Sequence, residues 1–330
     1  MTDMLLSPGL WLILGGLLFA ISDRRARLAI ILGAPSLALL AIWLMPADAL
    51  WSLQFLGYEL QPVRNTETGR LFATVFSLMA LGGGIYAWRI ARTLELAAAY
   101  LYAGSAVCVT FAGDLMTLFV FWELMALGST LVLWSAGTGA ARTASMRYLL
   151  LHLFGGMLLL VGIAGHALAN GSLLFRPMQA ESMAHWLILA GFLLNAGAPP
   201  FSAWIADAYP EASPSGTVFL SAFTTKTAVF VLIMGFPGTW VLIPIGLYMV
   251  FYGIIYALLE NDMRRILAYS IVNQVGFMVT GVGIGTEMAL NGAAAHAFAH
   301  IIYKGLLLMS AGAVLYRTGR RKCTDLSLIH

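Results

Sequence analysis

Three formally charged side chains, Glu123, Lys226 and Lys304, lie inside runs of apolar residues long enough to cross a lipid bilayer. His152, His166, His296 and His300 are titratable neighbours in runs of the same kind. A charge held at mid-membrane costs about 2.5–3.5 kcal/mol on insertion scales, so such groups persist where they pair, face a bundle interior or line a watery path. Carboxylates, lysines and histidines together can hand a proton from one to the next through bridging water. That relay is the chemistry these residue types allow. The chain carries no glycine-rich phosphate loop, cysteine cluster or His-Glu-x-x-His pair, so no cofactor motif competes with it.

Spacing sharpens the reading. His296, His300 and Lys304 recur at i, i+4 and i+8, which stacks them on one helix face. A single titratable stripe on an apolar helix reads as a wire into the bundle, with a polar packing seam as the plain alternative. A metal centre is disfavoured there, because two histidines without a third ligand do not complete a site. Lys226 stands in Thr224-Thr225-Lys226-Thr227, whose hydroxyls can bond the ammonium or hold water. Upstream, Asn195-Ala196-Gly197-Ala198-Pro199-Pro200-Phe201 sets two prolines in an apolar run. Pro199 and Pro200 remove backbone donors and predict a broken helix. Breaks at membrane depth are tolerated where they line a cavity, although a simple kink is the competing reading. Glu123, in Phe121-Trp122-Glu123-Leu124-Met125, has no Lys or Arg within a turn or two, so any partner must come from another helix. Its alternative role is to cap a helix contact in protonated form. His152 is a weaker relay candidate, and His166, near a helix end, reads as structural.

These groups need elements to hold them. Of 330 residues, 60% are hydrophobic and 10% charged; soluble proteins carry about 25% charged residues, so a secreted, cytosolic or nucleic-acid-binding domain is excluded. A net charge of +3 is also too small for a phosphate-binding surface. Cys108 and Cys323 make neither a disulfide framework nor a zinc set, and Cys108 reads as core. Eleven apolar stretches, near 5–21, 28–45, 71–88, 96–112, 115–134, 148–169, 184–203, 215–234, 239–259, 266–285 and 289–315, approach the roughly 20 residues a spanning helix needs. Continuous runs exclude a transmembrane barrel, whose strands would alternate. Ser22-Asp23-Arg24-Arg25 reads as a stop-transfer flank, not a cleavage site. The expected fold class is therefore all-α, a polytopic membrane helix bundle of about eleven transmembrane helices. Thirteen Lys and Arg residues fall in loops after odd-numbered stretches and three after even-numbered ones. That imbalance predicts an N-terminus outside and a cytoplasmic C-terminus.

The motifs follow one another in a recognisable order. Tyr102-Ala103-Gly104-Ser105 leads through Ala112-Gly113-Asp114 to Phe119-Val120-Phe121-Trp122-Glu123-Leu124-Met125-Ala126-Leu127. Arg147-Tyr148-Leu149 follows with His152. Next come Ala198-Pro199-Pro200-Phe201, Trp204, Asp207-Ala208-Tyr209-Pro210 and Thr225-Lys226-Thr227. Asp262-Met263-Arg264-Arg265 continues through Tyr269-Ser270 to Gln274-Val275-Gly276, and His296-Ala297-Phe298-Ala299-His300 with Lys304 closes the series. The series resembles the antiporter-like subunits shared by respiratory complex I and the Mrp-type cation/proton antiporters, the Mrp D-type subunits most of all. On that resemblance, Glu123 matches the carboxylate of the fifth helix and Lys226 the eighth-helix lysine linking two half-channels. His296, His300 and Lys304 match the central titratable line, and protons would move along a hydrated axis parallel to the membrane.

The resemblance implies three parts: residues 1–95 with the first three helices, 96–235 as a first antiporter repeat with its broken helix near 195–203, and 236–330 as a partial second, inverted repeat with a cytoplasmic C-terminus. It implies a transporter subunit rather than an enzyme, without cofactor, in a bacterial inner membrane. Partners would be protons, with Na+ as a candidate second ion, the lipid bilayer and other membrane subunits, one of them supplying further C-terminal helices. The expected function is proton translocation in an Mrp-type Na+/H+ antiporter. A non-conducting scaffold, or a proton-path subunit of a complex I-like, hydrogenase-like or inorganic-carbon uptake complex, is the alternative. Two departures matter. Asn195 stands nine residues before Trp204, where the family usually has a lysine, so Glu123 lacks its expected switching partner. The family also commonly runs on past this chain's eleventh stretch into a second broken helix with a terminal Lys or Glu.

Overall fold

The computed structural model describes residues 7–23 and 26–326. Arg24, Arg25, the first residues of the first expected span and the last four of the chain lie outside that description. Apolar runs become helices whose starts are set by short polar side chains. In chain order these are α1 (Gly9–Ile21), α2 (Arg27–Leu44), a hairpin of β1 (Leu50–Phe55) and β2 (Tyr58–Arg64), then α3 (Glu67–Ala87), α4 (Thr93–Phe111), α5 (Leu115–Trp134) and α6 (Gly139–Asn170). They continue as α7 (Met183–Ala196), α8 (Trp204–Ala208), α9 (Pro214–Ala222), α10 (Thr224–Gly235), α11 (Leu242–Leu259), α12 (Met263–Ile284), α13 (Glu287–Thr318) and α14 (Cys323–Leu326). Thr66, Asp114, Thr138, Ser182, Ser213, Asp262 and Thr286 each accept a bond from a first-turn N–H, the role of an N-cap.

Among the described residues, nine helical stretches are long and apolar enough to cross a membrane, counting α9 with α10 as one. The shorter apolar helices α1 and α7 occupy the first and seventh expected spans. The polytopic helical bundle is as the composition demands. The hairpin in the second interhelical loop was not anticipated, although Trp51-Ser52-Leu53-Gln54-Phe55 alternates with the strand period of two. Leu56 and Gly57, both at positive φ, turn its tip.

Two ends of the bundle collect alternate loops, as an up-and-down path requires. At one end β2 lies on the α4–α5 corner, with Gly113 N–H donating to Gln61 O at 2.8 Å and Gln61 N–H to Asp114 Oδ2 at 2.8 Å. There too Leu115 N–H reaches Leu173 O, and Met178 N–H reaches Gly235 O. At the other end Arg147 pairs with Asp207 at 2.7 Å, Arg321 with Asp262 at 2.7 Å and Glu211 at 3.4 Å, and Arg265 with Glu260 at 3.7 Å. Such exposed pairs contribute roughly 0–1 kcal/mol each; what they show is which loops meet.

The core lies on two central helices. The α4 span and the α9–α10 span are 83% and 89% buried, against 22% for α11 and 28% for α2 at the periphery. Phe72 meets Phe230 at 5.4 Å, Phe76 meets Phe223 at 5.5 Å and Tyr102 meets Phe223 at 4.9 Å between ring centroids. These aromatic contacts gather α3 and α4 around the point where α9 gives way to α10.

Candidate functional site

Both central interruptions leave backbone groups that side chains must satisfy. After α7, Gly197 turns left-handed at φ +80° and the chain is irregular to Ala203, passing through Pro199 and a cis Pro200. Gly197 N–H bonds Leu194 O at 3.1 Å and Ala198 N–H bonds Leu193 O at 3.0 Å, closing the helix with backbone donors. Trp204 Nε1–H then donates to Leu194 O at 3.1 Å, so the indole after the break caps the helix before it.

The second break, at Phe223, falls inside a stretch read from sequence as one continuous helix. Lys226 makes it possible. Its ammonium donates to Ser221 O at 2.7 Å, and Tyr102 Oη lies 3.4 Å from Leu220 O. Thr224 N–H, free at the new helix start, donates to Tyr102 Oη at 2.8 Å. Lys226 is fully buried, and so are Thr225 and Thr227 beside it. The hydroxyls of Thr225 and Thr227 have no protein partner.

Thr224 is also where the α6 candidates arrive. Tyr102 and Tyr148 hydroxyls lie 2.5 Å and 3.3 Å from Thr224 Oγ1, and Tyr148 O–H donates to Ser129 Oγ at 2.9 Å. His152 stacks on Tyr148 with ring centroids 3.9 Å apart and meets Trp204 edge-on at 4.7 Å. Its Nδ1 lies 2.9 Å from Tyr148 O, while Nε2 is buried without a partner. Tyr102 and Tyr148 were not among the expected site residues, and Thr224, expected to serve the Lys226 ammonium or water, bonds these two tyrosines. Isolated aromatic and hydroxyl residues in apolar runs give no periodic signal.

On α13 the stripe is where its spacing put it. Lys304 donates to Ser270 Oγ on α12 at 2.8 Å, and Tyr303 O–H donates to Gln274 Oε1 at 3.2 Å. The His296 and His300 rings are 6.1 Å apart, too far for a direct hydrogen bond, and both His300 nitrogens are buried without partners. Lys226, Lys304 and His296 all lie within Coulombic range of His300. Four of the candidates therefore lie near enough to feel one another's charge.

Glu123 stands apart from these four. No ion pair among the described residues includes Glu123, Lys226 or Lys304. Its carboxyl lies against α6 at Gly156, where a Cβ would come within 2.8 Å of Glu123 Cδ, and Oε1 is buried without a partner. Asn195, fully buried, also has neither Oδ1 nor Nδ2 partnered. One buried carboxylate escaped the sequence reading. Glu95, at the start of α4, accepts from Ser213 at 2.8 Å, from Ser215, and from Ser135 at 3.5 Å. Its place at the edge of an apolar run made it look like a loop residue. Among the described residues, no three or more His, Cys, Asp or Glu side chains gather to hold a metal ion.

Comparison with known proteins gives this geometry a context. The family model described as NADH:quinone oxidoreductase/Mrp antiporter, transmembrane, matches residues 112–329, a range that contains every candidate from Glu123 to Lys304. The D-type subunit of the Na(+)/H(+) antiporter of Alkalihalophilus pseudofirmus is 30% identical over 227 residues, covering 63% of this chain and 46% of its own. The N-type subunit of the NADH-quinone oxidoreductase of Desulforudis audaxviator is 30% identical over 240 residues, covering 66% and 47%. The chain thus spans about half the length of the curated relatives it matches. Among solved structures, a chain of the Mrp complex from Dietzia sp. DQ12-45-1b shares the fold at a TM-score of 0.83 and 24% identity, over 95% of this chain and 38% of that one.

Proposed function

This chain belongs to the NADH:quinone oxidoreductase/Mrp antiporter membrane family, and on that premise we propose that it carries protons within a multisubunit ion-translocating complex. The Mrp-type cation/proton antiporter, with this chain in a D-like place, is the form we favour. One observation supports the reading above the others. Glu123, His152, Asn195, Thr225, Thr227, His296 and His300 all hold buried polar atoms with no partner in the protein. Buried polar groups in folded proteins are almost always satisfied, and water is the partner left. A hydrated row of titratable groups is what a relay needs and what a scaffold has no use for.

In this proposal Glu123 and the His152–Tyr148–Thr224 contacts lie on one side of the α9–α10 break, and Lys226, His300, Lys304 and His296 on the other. The chain makes and breaks no covalent bond. Its basic end, rich in Arg and Lys, faces the cytoplasm, and other membrane subunits of the complex pack against the bundle.

Gly156 tests the first part of the path. In inverted or reconstituted vesicles holding the complex, Gly156→Ala is expected to lower proton flux severely, because the new methyl meets the Glu123 carboxyl. Gly155→Ala, whose methyl meets only the Leu194 side chain at 3.2 Å and beyond, is the matched control with near-normal flux. Equal flux in the two variants would remove Glu123 from the path.

Asn195 favours a second reading, a scaffold that no longer conducts, since an amide cannot carry a proton charge. Asn195→Lys tests whether this position bears on transport. With a conducting chain, adding a titratable group beside the break should move the pH dependence of transport. A pH profile unchanged from wild type would leave position 195 as packing alone.

A further inference from the structure

Among the described residues the relay leaves two histidines unused, and they face each other across neighbouring helices. His166, in the last turn of α6, and His185, in the first turn of α7, bring Nδ1 and Nε2 to 3.0 Å. His185 Nδ1 lies 2.6 Å from Gln179 O, and a carbonyl only accepts. His185 therefore carries a proton on Nδ1, and in the neutral imidazole it presents its Nε2 lone pair to His166. Such an orienting carbonyl behind an imidazole is the arrangement that supports metal-ligating histidines. Asn170, one turn after His166, brings its amide to within 3.1 Å of the same His166 Nδ1.

Asn170 Nδ2–H also donates to His166 O at 3.1 Å, which leaves His166 Nδ1 free to face His185 Nε2. A cation between the rings would take the lone pairs of both imidazoles. Two imidazole nitrogens ligating one ion at about 2.0–2.1 Å with tetrahedral angles stand roughly 3.3 Å apart, close to the separation found here. Turning the Asn170 amide so that it gives up its bond to His166 O presents Oδ1 as a third ligand, and solvent supplies a fourth. Both histidines are half-buried and Asn170 is exposed, so an ion can reach them from water. The α6 C-terminus, where the helix dipole favours positive charge, lies alongside.

We propose that His166, His185 and Asn170 form a binding site for a borderline divalent metal ion such as Zn2+ or Cu2+, with water completing its coordination. The ion staples the end of α6 to the start of α7 across residues 171–182. The site lies at the end of the bundle where the hairpin packs and takes no part in moving protons, so the proposal does not depend on transport.

The test uses the full chain, purified in mild detergent without a polyhistidine tag. Calorimetric titration with ZnCl2 near neutral pH is expected to give one ion per chain. His166→Gln and His185→Gln should each weaken binding by at least the roughly 10–100-fold that even outer partners of a metal site contribute. Asn170→Ala should weaken it less. Binding that survives unchanged in the doubly substituted chain, or no binding by the wild type, overturns the site. Electron paramagnetic resonance of the wild-type chain with one equivalent of Cu2+ needs no variant and so is independent of their folding. Hyperfine structure from two imidazole nitrogens is expected, and a spectrum with one or none overturns the assignment.

Discussion

Glutamine in place of Glu123 is expected to stop proton movement through the assembled complex and to leave the complex itself intact. Two features of the environment carry the expectation. First, among the described residues the carboxyl has no ion-pair partner and its Oε1 has no protein partner, so an isosteric amide breaks no ion pair and takes no acceptor away from Oε1. Removing one partner of a buried bond costs about 1–3 kcal/mol, and no such bond holds Oε1. Co-purification of partner subunits and the melting curve should therefore match wild type. Second, an amide cannot take up and release a proton, so a path through this position closes. Flux measured with a pH-sensitive dye in vesicles should fall to that of vesicles lacking the complex. Flux at wild-type level would mean that Glu123 only fills space on α5, and the scaffold reading would gain. Glu95 illustrates why the position matters. Its carboxyl holds three serine hydroxyls from other segments, so an amide there would disturb packing and transport together.

How much of this could be read from sequence depended on whether a feature had a period. Apolar runs near 20 residues are a strong signal because lipid leaves the backbone no partner but itself, and the helices stand where those runs lie. The His296, His300 and Lys304 stripe was equally legible, since i, i+4 and i+8 fix a face whatever surrounds it. Pro199 and Pro200 announced an interruption after α7 through a missing donor. The break at Phe223 had no such mark. It exists because Lys226 and Tyr102 satisfy the carbonyls and N–H it frees, and a bond between residues 122 positions apart is invisible along the chain. Glu95 escaped for a similar reason: its three serines come from two distant places, the end of α5 and the start of α9. The hairpin is a weaker case, because its alternation is confined to two short strands that gain their support from the α4–α5 corner.

Lys226 gives the sharper separation of structure from transport, because its ammonium does two things at once. It caps Ser221 O at the break, and it is a titratable group whose charge is felt at Lys304 and His300. Lys226→Met removes both, leaving a buried carbonyl unpaired at a cost of about 1–3 kcal/mol. The loss of a buried cation offsets part of that penalty, so the melting temperature is a poor guide to which role matters. Lys226→Arg separates them. Arginine keeps a positive charge and a donor for Ser221 O, yet its guanidinium does not give up a proton in proteins. The larger head group in a fully buried site costs about 1–3 kcal/mol in overpacking, so partner co-purification must accompany the transport assay. The expected result is an assembled complex with the arginine variant in place and proton flux lost, as in the methionine variant. If the arginine variant conducts while the methionine variant does not, Lys226 acts as a fixed charge and helix cap. The relay would then have to pass the break through Thr224 and the tyrosine hydroxyls, 2.5 Å and 3.3 Å from it, without a lysine that titrates.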